Sequence, residues 1–341
     1  MLKLIISRIR RFFPQWRLYS FSVAFWSFLF PLYRIFGPLR ANFAIHKHKS
    51  ILQYLYKRYI GIINQFTGRE TKPESAIEPG STIWVCWWDG EEAMPDLVKT
   101  CYRSIRQYAG THPVQLITKH NFSEYISIPE YILNKVNNGI MTVTHFSNIL
   151  RANLLYEYGG IWIDATILIL KEISLENLPF YTLKAPAKKS ISVTLSGFSG
   201  LSNPSIHFRN ILMPEISRWS GFLLAGAKHS PIFEYMRDIL YAYWQDHDDQ
   251  IDYLLFDYTI ALGYDNIPLM RKLFDDVQCS DTEKFELEKN LNTEFTDECL
   301  ALYSLTPFHK LTWKKEFNMY TKENKLTIYG HLINSLTGDI A

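Results

Sequence analysis

The chain has 341 residues, is 47% hydrophobic and 15% aromatic, and carries a formal net charge of +2. That apolar content excludes a disordered chain, and the length fits one large α/β domain with additions or two modest domains. Cys86, Cys101, Cys279 and Cys299 lie far apart with no CxxC spacing, which argues against a disulfide framework or a thiolate metal site and fits reduced thiols in a cytoplasmic setting.

The small net charge conceals an asymmetry. Residues 1–69 hold twelve Lys and Arg and no acid, the first acid being Glu70, which leaves 24 basic against 34 acidic side chains in the remainder. Residues 1–13, MLKLIISRIRRFF, mix Leu, Ile and Phe with Arg at helical spacing, the pattern of an amphipathic interfacial helix. Residues 18–33, LYSFSVAFWSFLFPLY, are apolar and uncharged but interrupted by Pro31, and fall short of the roughly 20 residues that a membrane span needs. No small-residue cleavage motif marks a signal peptide. The expectation is a basic, aromatic helical arm over residues 1–65 that lies on an anionic membrane surface, peripheral at the cytoplasmic inner face, with Trp16, Phe25 and Trp26 in the interface. The alternative is a helical hairpin packed on the body. No nucleic acid is expected as a partner, because the arm is too apolar and carries no recognition motif.

Residues 47–63 predict a helix and residues 66–81, with Gly68, Pro73, Pro79 and Gly80, a polar linker. The body is expected over 81–330. It opens with a strand over Ile83–Cys86 that runs into Trp87-Trp88-Asp89. Residues 95–108 predict an amphipathic helix with Leu97, Val98, Cys101 and Ile105 inward. Val114–Thr118 predicts a second strand, followed by short helical segments near Ser123 and over Pro129–Asn137.

Thr144–Leu170, THFSNILRANLLYEYGGIWIDATILIL, then predicts a helix capped by Thr144, with Ile149, Ala152, Leu155 and Tyr156 on one face. Gly159-Gly160 ends it. Ile161–Ile163 follows as a buried strand with Asp164 directly at its end. The alternation of strand and helix implies a mainly parallel sheet. Beyond Leu170 the pattern predicts strands over Ile191–Leu195 and Gly221–Ala225, and helices over Pro231–Trp244, Asp252–Leu262 and residues 266–277. Residues 282–300 are polar and ambiguous. Thr306–Lys315 brings His309, Lys310 and Trp313 close together in sequence.

GxGxxG, GxxxxGK[ST], GxSxG and HExxH are all absent, which argues against P-loop NTPases, dinucleotide oxidoreductases and the hydrolases that those last two motifs mark. A carboxylate at the end of a buried strand is costly unless hydrogen-bonded, paired or bound to a metal. Open α/β sheets bind ligands at such strand ends, which makes Asp164 the first candidate. Arg151 lies one helical turn beyond Asn148, so both can face the same site. An acid at the sheet rim, aromatic faces and a cation together suit a nucleotide-sugar. Asp257, within the apolar LLFDY, is the second candidate acid. Asp252 reads as a cap, His145 as structural, and Asp246-His247-Asp248-Asp249 as a solvated loop.

SNILRANLLYEYGGIWIDAT resembles the SDxxR…YxYGGxYxDxD segment of glycosyltransferase family 32 and related retaining enzymes. The longer resemblance is to its bacterial branch, the capsular polysaccharide synthesis proteins. It rests on Ile83 to Glu91, His145 to Thr166, Tyr243 to Tyr258 and His309 to Lys314, and covers roughly residues 45–330. It implies a GT-A fold, a nucleotide-sugar donor, an oligosaccharide or lipid-linked glycan acceptor, retention at the anomeric carbon, and a divalent metal, Mn²⁺ or Mg²⁺. It implies that Trp88 stacks on the donor base, that Arg151 contacts the donor, and that Asp164, the first acid of a DxD-type motif, holds ribose and sugar hydroxyls or the metal shell. Asn148 stands where many relatives have Asp, and Thr166 where the second acid would be. Thr is a poor ligand for these ions without companion carboxylates. His309 is then the candidate compensating ligand beside Asp164, and Lys310 the candidate to neutralise the departing diphosphate. The alternative function is a non-catalytic GT-A-like scaffold or glycan-binding subunit, with Asn148 and Thr166 marking lost chemistry.

Overall fold

A computed structural model describes residues 2–30, 40–69, 75–184, 219–278 and 284–336. The strand predicted over Ile191–Leu195 lies outside the described residues. The body is mixed α/β, built on a mostly parallel central sheet.

Ile83–Cys86 forms β1, Val114–Ile117 β2 and Gly160–Ile163 β3. β1 pairs in parallel with both β2 and β3, with Ile83 opposite Val114 and Ile161. Leu223–Gly226 forms β6, which runs antiparallel to β3 with Ile163 opposite Leu223. Phe180–Thr182 forms β5 and closes the far edge against β6. The order is therefore β2-β1-β3-β6-β5, with β6 alone reversed. β3 is central and buried along its whole length, as its uninterrupted apolar run requires.

Two short strands make a separate ribbon. Ile167–Ile169 (β4) pairs antiparallel with Phe308–Lys310 (β7), placing Ile167 opposite Lys310 and Leu168 opposite His309. A late segment is thereby brought beside the turn that follows Asp164.

The N-terminal helices are α1 (Leu2–Leu18), α2 (Phe21–Leu29) and α3 (Arg40–Thr67). Buried Ile51, Leu55, Tyr59, Ile63 and Phe66 recur on one face of α3 and join the main core, the spacing of a helix seated on a globular body. His48 Nδ1 lies 2.6 Å from the Tyr258 hydroxyl, and Lys47 pairs with Asp252. The base of the arm is thus packed on the body. The cluster read as a solvated loop is partly enlisted here: Asp246 pairs with Arg58, and His247 is buried against Tyr54. Ile6, Ile9, Phe13, Trp16, Leu18 and Phe21 remain exposed on α1 and the start of α2. Phe25 and Trp26 are half-buried, Trp26 stacked on His46 at 4.4 Å. Among the described residues no helix is long and apolar enough to cross a membrane.

The body's helices follow the sequence pattern. They are α4 (Asp96–Gln107), α5 (Phe122–Tyr125), α6 (Glu130–Asn137) and α7 (Val143–Tyr158). After β6 come α8 (Pro231–Asp246), α9 (Leu255–Asn266) and α10 (Pro268–Asp276). The ambiguous stretch holds α11 (Glu286–Asn290) and α12 (Asp297–Tyr303), and α13 (Ile328–Leu336) is the last described helix. α7 begins two residues earlier than predicted: Thr142, not Thr144, is its cap, its hydroxyl accepting from the His145 amide. Both positions are threonine, so composition alone does not separate them. Asp252 does not cap the helix expected to start there: α9 begins at Leu255 with Leu254 as its N-cap, and Asp252 instead accepts from the Leu254 amide in the preceding turn and pairs with Lys47.

Candidate active site

The Gly-Gly turn sets the geometry. Gly159 and Gly160 have φ of +68° and +92°, a region that side chains other than glycine rarely enter. A Cβ on Gly159 would lie 2.5 Å from the Lys228 amide nitrogen, and one on Gly160 2.3 Å from the Thr82 carbonyl oxygen. Only glycine lets α7 turn directly into β3 against its neighbours. β3 then carries Trp162 and Asp164 on one face, because alternate residues of a strand share a side.

Asp164 sits just past the carboxyl end of β3, its backbone amide bonded to the Phe222 carbonyl at 2.9 Å. Its Oδ1 accepts from Arg151 Nη2 at 2.8 Å and from Trp162 Nε1 at 2.9 Å. Its Oδ2 accepts from Lys310 Nζ at 3.0 Å, and the same ammonium donates to Thr166 Oγ1 at 2.7 Å. Arg151 Nη1 donates to Asn148 Oδ1 at 2.8 Å. Sequence separations of up to 146 residues thus converge on one carboxylate.

Arg151 is buried, its guanidinium 4.8 Å from the Trp162 ring and 4.9 Å from the Phe256 ring. Its Nε has no hydrogen-bond partner among the described residues. Burial opposes charge on Asp164, but Lys310 and Arg151 outweigh it and hold the carboxyl below the usual carboxylate range. Burial lowers the Arg151 value against the pull of Asp164 and, more weakly, of Asp257. Arginine nevertheless remains a cation in proteins. The Cys86 thiol, at the adjacent end of β1, is pushed up to about 12, chiefly by burial. It is therefore a neutral thiol with no nucleophilic character at neutral pH.

Asn148, Arg151, Asp164, Thr166 and Lys310 form one connected cluster, and Asp257 on the first turn of α9 adds its charge to Arg151. Trp88 stands beyond the end of β1, half-buried against Phe122 and Phe146, with ring centroids 5.5 and 5.3 Å away. Trp87 meets Trp313 edge-on instead. Both tryptophans lie past the last ladder residue, so strand alternation does not sort them.

The donor set expected for a divalent cation, Asp164 with His309, is not brought together. His309 is fully buried, and its Nε2 lies 3.0 Å from the Tyr303 carbonyl. It neighbours Lys310 on a strand, so the two side chains take opposite faces, and Lys310 takes the one toward Asp164. Burial holds His309 below its ordinary value. Among the described residues no group of three or more His, Cys, Asp or Glu is placed to hold a metal ion. Both oxygens of Asp164 already face cations. Among the described residues, the groups around Asp164 therefore do not fit a protein-held divalent ion.

Three participants escape the sequence reading. Trp162 had one available signal, its position two residues before Asp164 on the same strand face. Phe222, whose ring lies 4.9 Å from Lys310 Nζ and 5.3 Å from Lys284 Nζ, had none. Lys284 donates to Ser220 Oγ at 2.8 Å and is pushed down to about 7 by burial. Its place depends wholly on tertiary packing.

The family described as capsular polysaccharide synthesis protein matches residues 33–332. The chain belongs to that family. The matched range takes in every residue of the cluster around Asp164. A curated relative of this chain is "O-glycosyltransferase braB" of Annulohypoxylon truncatum, 23% identical over 248 residues, which are 69% of this chain and 52% of the relative. The chain thus spans about half the length of that relative. Among solved structures, "PaToxG Glycosyltransferase" is similar at 15% identity with a TM-score of 0.39, over 66% of this chain and 82% of that one.

Proposed function

We propose that this chain is a glycosyltransferase with a GT-A-type arrangement, moving a sugar from a nucleoside-diphosphate sugar to a glycan acceptor during synthesis of capsule or a related surface polysaccharide. The observation that carries the reading is the Arg151–Asp164–Lys310 cluster at the carboxyl end of the central strand, in a member of the capsular polysaccharide synthesis family. Two cations and one carboxylate leave that trio net positive, which suits the diphosphate of a donor.

In the proposed reaction the bond between the sugar's anomeric carbon and the β-phosphate oxygen breaks, and its electron pair leaves with the diphosphate. The acceptor hydroxyl oxygen bonds to the same carbon from the same face, giving retention, and its proton passes to the departing diphosphate. Trp88 stacks on the base. Arg151, held by Asn148, contacts the donor, and Asp164 orients ribose and sugar hydroxyls. Lys310, with Thr166 beside it, faces the phosphates, and Asp257 lies near Arg151 to contact the sugar. Charge-stabilising donors of this kind contribute on the order of 10²- to 10³-fold to turnover.

The proposal includes a place of work. The acid-free arm, with Trp16, Phe13 and Phe21 exposed, rests on the anionic inner surface of the membrane, where lipid-linked acceptors are within reach.

A panel of UDP-, GDP- and CMP-sugars, assayed for transfer and for slow donor hydrolysis, tests the reading. At least one donor is turned over, and Asp164→Ala abolishes turnover while circular dichroism keeps its native form. Absence of both binding and turnover across the panel favours the non-catalytic scaffold instead.

A further inference from the structure

We propose that Lys310, together with Arg151, does the work of a divalent cation in this chain, so that donor diphosphate binding and sugar transfer proceed without a metal ion. The inference rests on the glycosyltransferase reading and deepens it.

The ammonium of Lys310 is held much as a bound cation would be. One carboxylate oxygen lies 3.0 Å away and one hydroxyl oxygen 2.7 Å away. These come from Asp164 and Thr166, the first and third residues of a D-A-T triplet whose turn is closed by a bond from the Ile167 amide to the Asp164 carbonyl at 2.9 Å. Thr166 is a poor ligand for a divalent ion without companion carboxylates but well suited to accepting a hydrogen bond from an ammonium. The pairing of Ile167 with Lys310 in the β4–β7 ribbon fixes this approach through backbone hydrogen bonds. Lysine carries three N–H donors, and two are used among the described residues. The side chain is 21% exposed, so the third donor can reach an oxyanion.

Electrostatics points the same way. Arg151 and Lys310 both lie within 3.0 Å of Asp164. A doubly charged ion entering beside that carboxylate would meet two cations already in place, at short range in a partly buried site where repulsion is weakly screened. A departing diphosphate meets the same two cations attractively. When the anomeric C–O bond breaks, the new negative charge falls on the β-phosphate oxygen, and Lys310 and Arg151 stabilise it. The acceptor proton then neutralises part of it, so the step balances without a co-reactant.

The test is calorimetric titration of the full chain with UDP, GDP, ADP and dTDP, in EDTA and in Mn²⁺ or Mg²⁺. The expected result is that the diphosphate that binds does so in EDTA within about threefold of its affinity with either ion. Lys310→Met weakens that binding at least tenfold in EDTA, and Lys310→Arg, which keeps the cation, weakens it less. A thermal melt of each variant confirms that it is folded. Binding that appears only with a divalent ion, or a folded Lys310→Met that binds as tightly as the parent, overturns the proposal. Failure of every diphosphate under both conditions instead removes the donor site itself, and the proposal with it.

Discussion

Lys310 Nζ lies 3.0 Å from Asp164 Oδ2 although 146 residues separate them in the chain. The contact ties the end of the central strand to the β4–β7 ribbon. With Arg151 on the other oxygen, it makes Asp164 a carboxylate bracketed by two cations.

Asp164→Asn removes the charge while keeping the shape, leaving Arg151 and Lys310 facing an amide. Breaking such a pair from one side costs on the order of 3 kcal/mol at neutral pH. The sign of the pH dependence follows from the lowered Asp164 value. A depressed carboxyl stabilises the fold fully above its unfolded value, about 3.9, and loses that contribution as pH falls through its folded value. The stability gap between parent and variant in urea titrations is therefore constant from about pH 8 to 5 and narrows below about pH 4. A gap that widens toward acid contradicts the assignment.

Gly160→Ala combines a φ of +92° with a Cβ 2.3 Å from the Thr82 oxygen. The positive φ alone costs about 1 to 3 kcal/mol, and the clash with backbone adds to it. The expected loss is at least about 2 kcal/mol by urea denaturation, with donor binding reduced in parallel because β3 carries Asp164. An unchanged midpoint would show that α7 and β3 meet differently.

Deleting residues 1–18 removes α1, with five Lys and Arg and no acid. Each basic residue near an anionic surface contributes roughly 1 kcal/mol. Cosedimentation with vesicles of phosphatidylcholine and phosphatidylglycerol is expected to fall at least tenfold, and binding by the parent to weaken with added salt. Donor affinity stays within about twofold, since α3, not α1, shares the body's core. Equal cosedimentation of both chains would remove the membrane proposal and leave the donor site untouched.

The sequence made the centre of the site legible because its signals are local. The 3.6-residue periodicity of α7, the Gly159-Gly160 stop and the apolar run into Asp164 all lie within one stretch. Arg151 and Asn148 follow from helix geometry alone. The β4–β7 ribbon was not legible: three-residue strands carry no periodic trace, and their pairing spans some 140 positions. Lys310 and His309 were accordingly both candidates, and only the register that seats His309 opposite Leu168 separates them. The reversal of β6 and the arrival of Lys284 beside Phe222 are likewise products of tertiary packing. The arm divides the same way. Its charge was plain in the sequence, whereas the burial of Ile51, Leu55 and Tyr59 against α8 and α9 needed the fold.

The measurement that bears most directly on the central claim is a crystal structure of the full chain soaked with whichever nucleoside diphosphate binds. The account predicts β-phosphate oxygens within hydrogen-bond reach, about 3 Å, of Lys310 Nζ, with the sugar-binding side opening over Asp164. Well-ordered diphosphate seated away from Lys310 and Asp164 would contradict it.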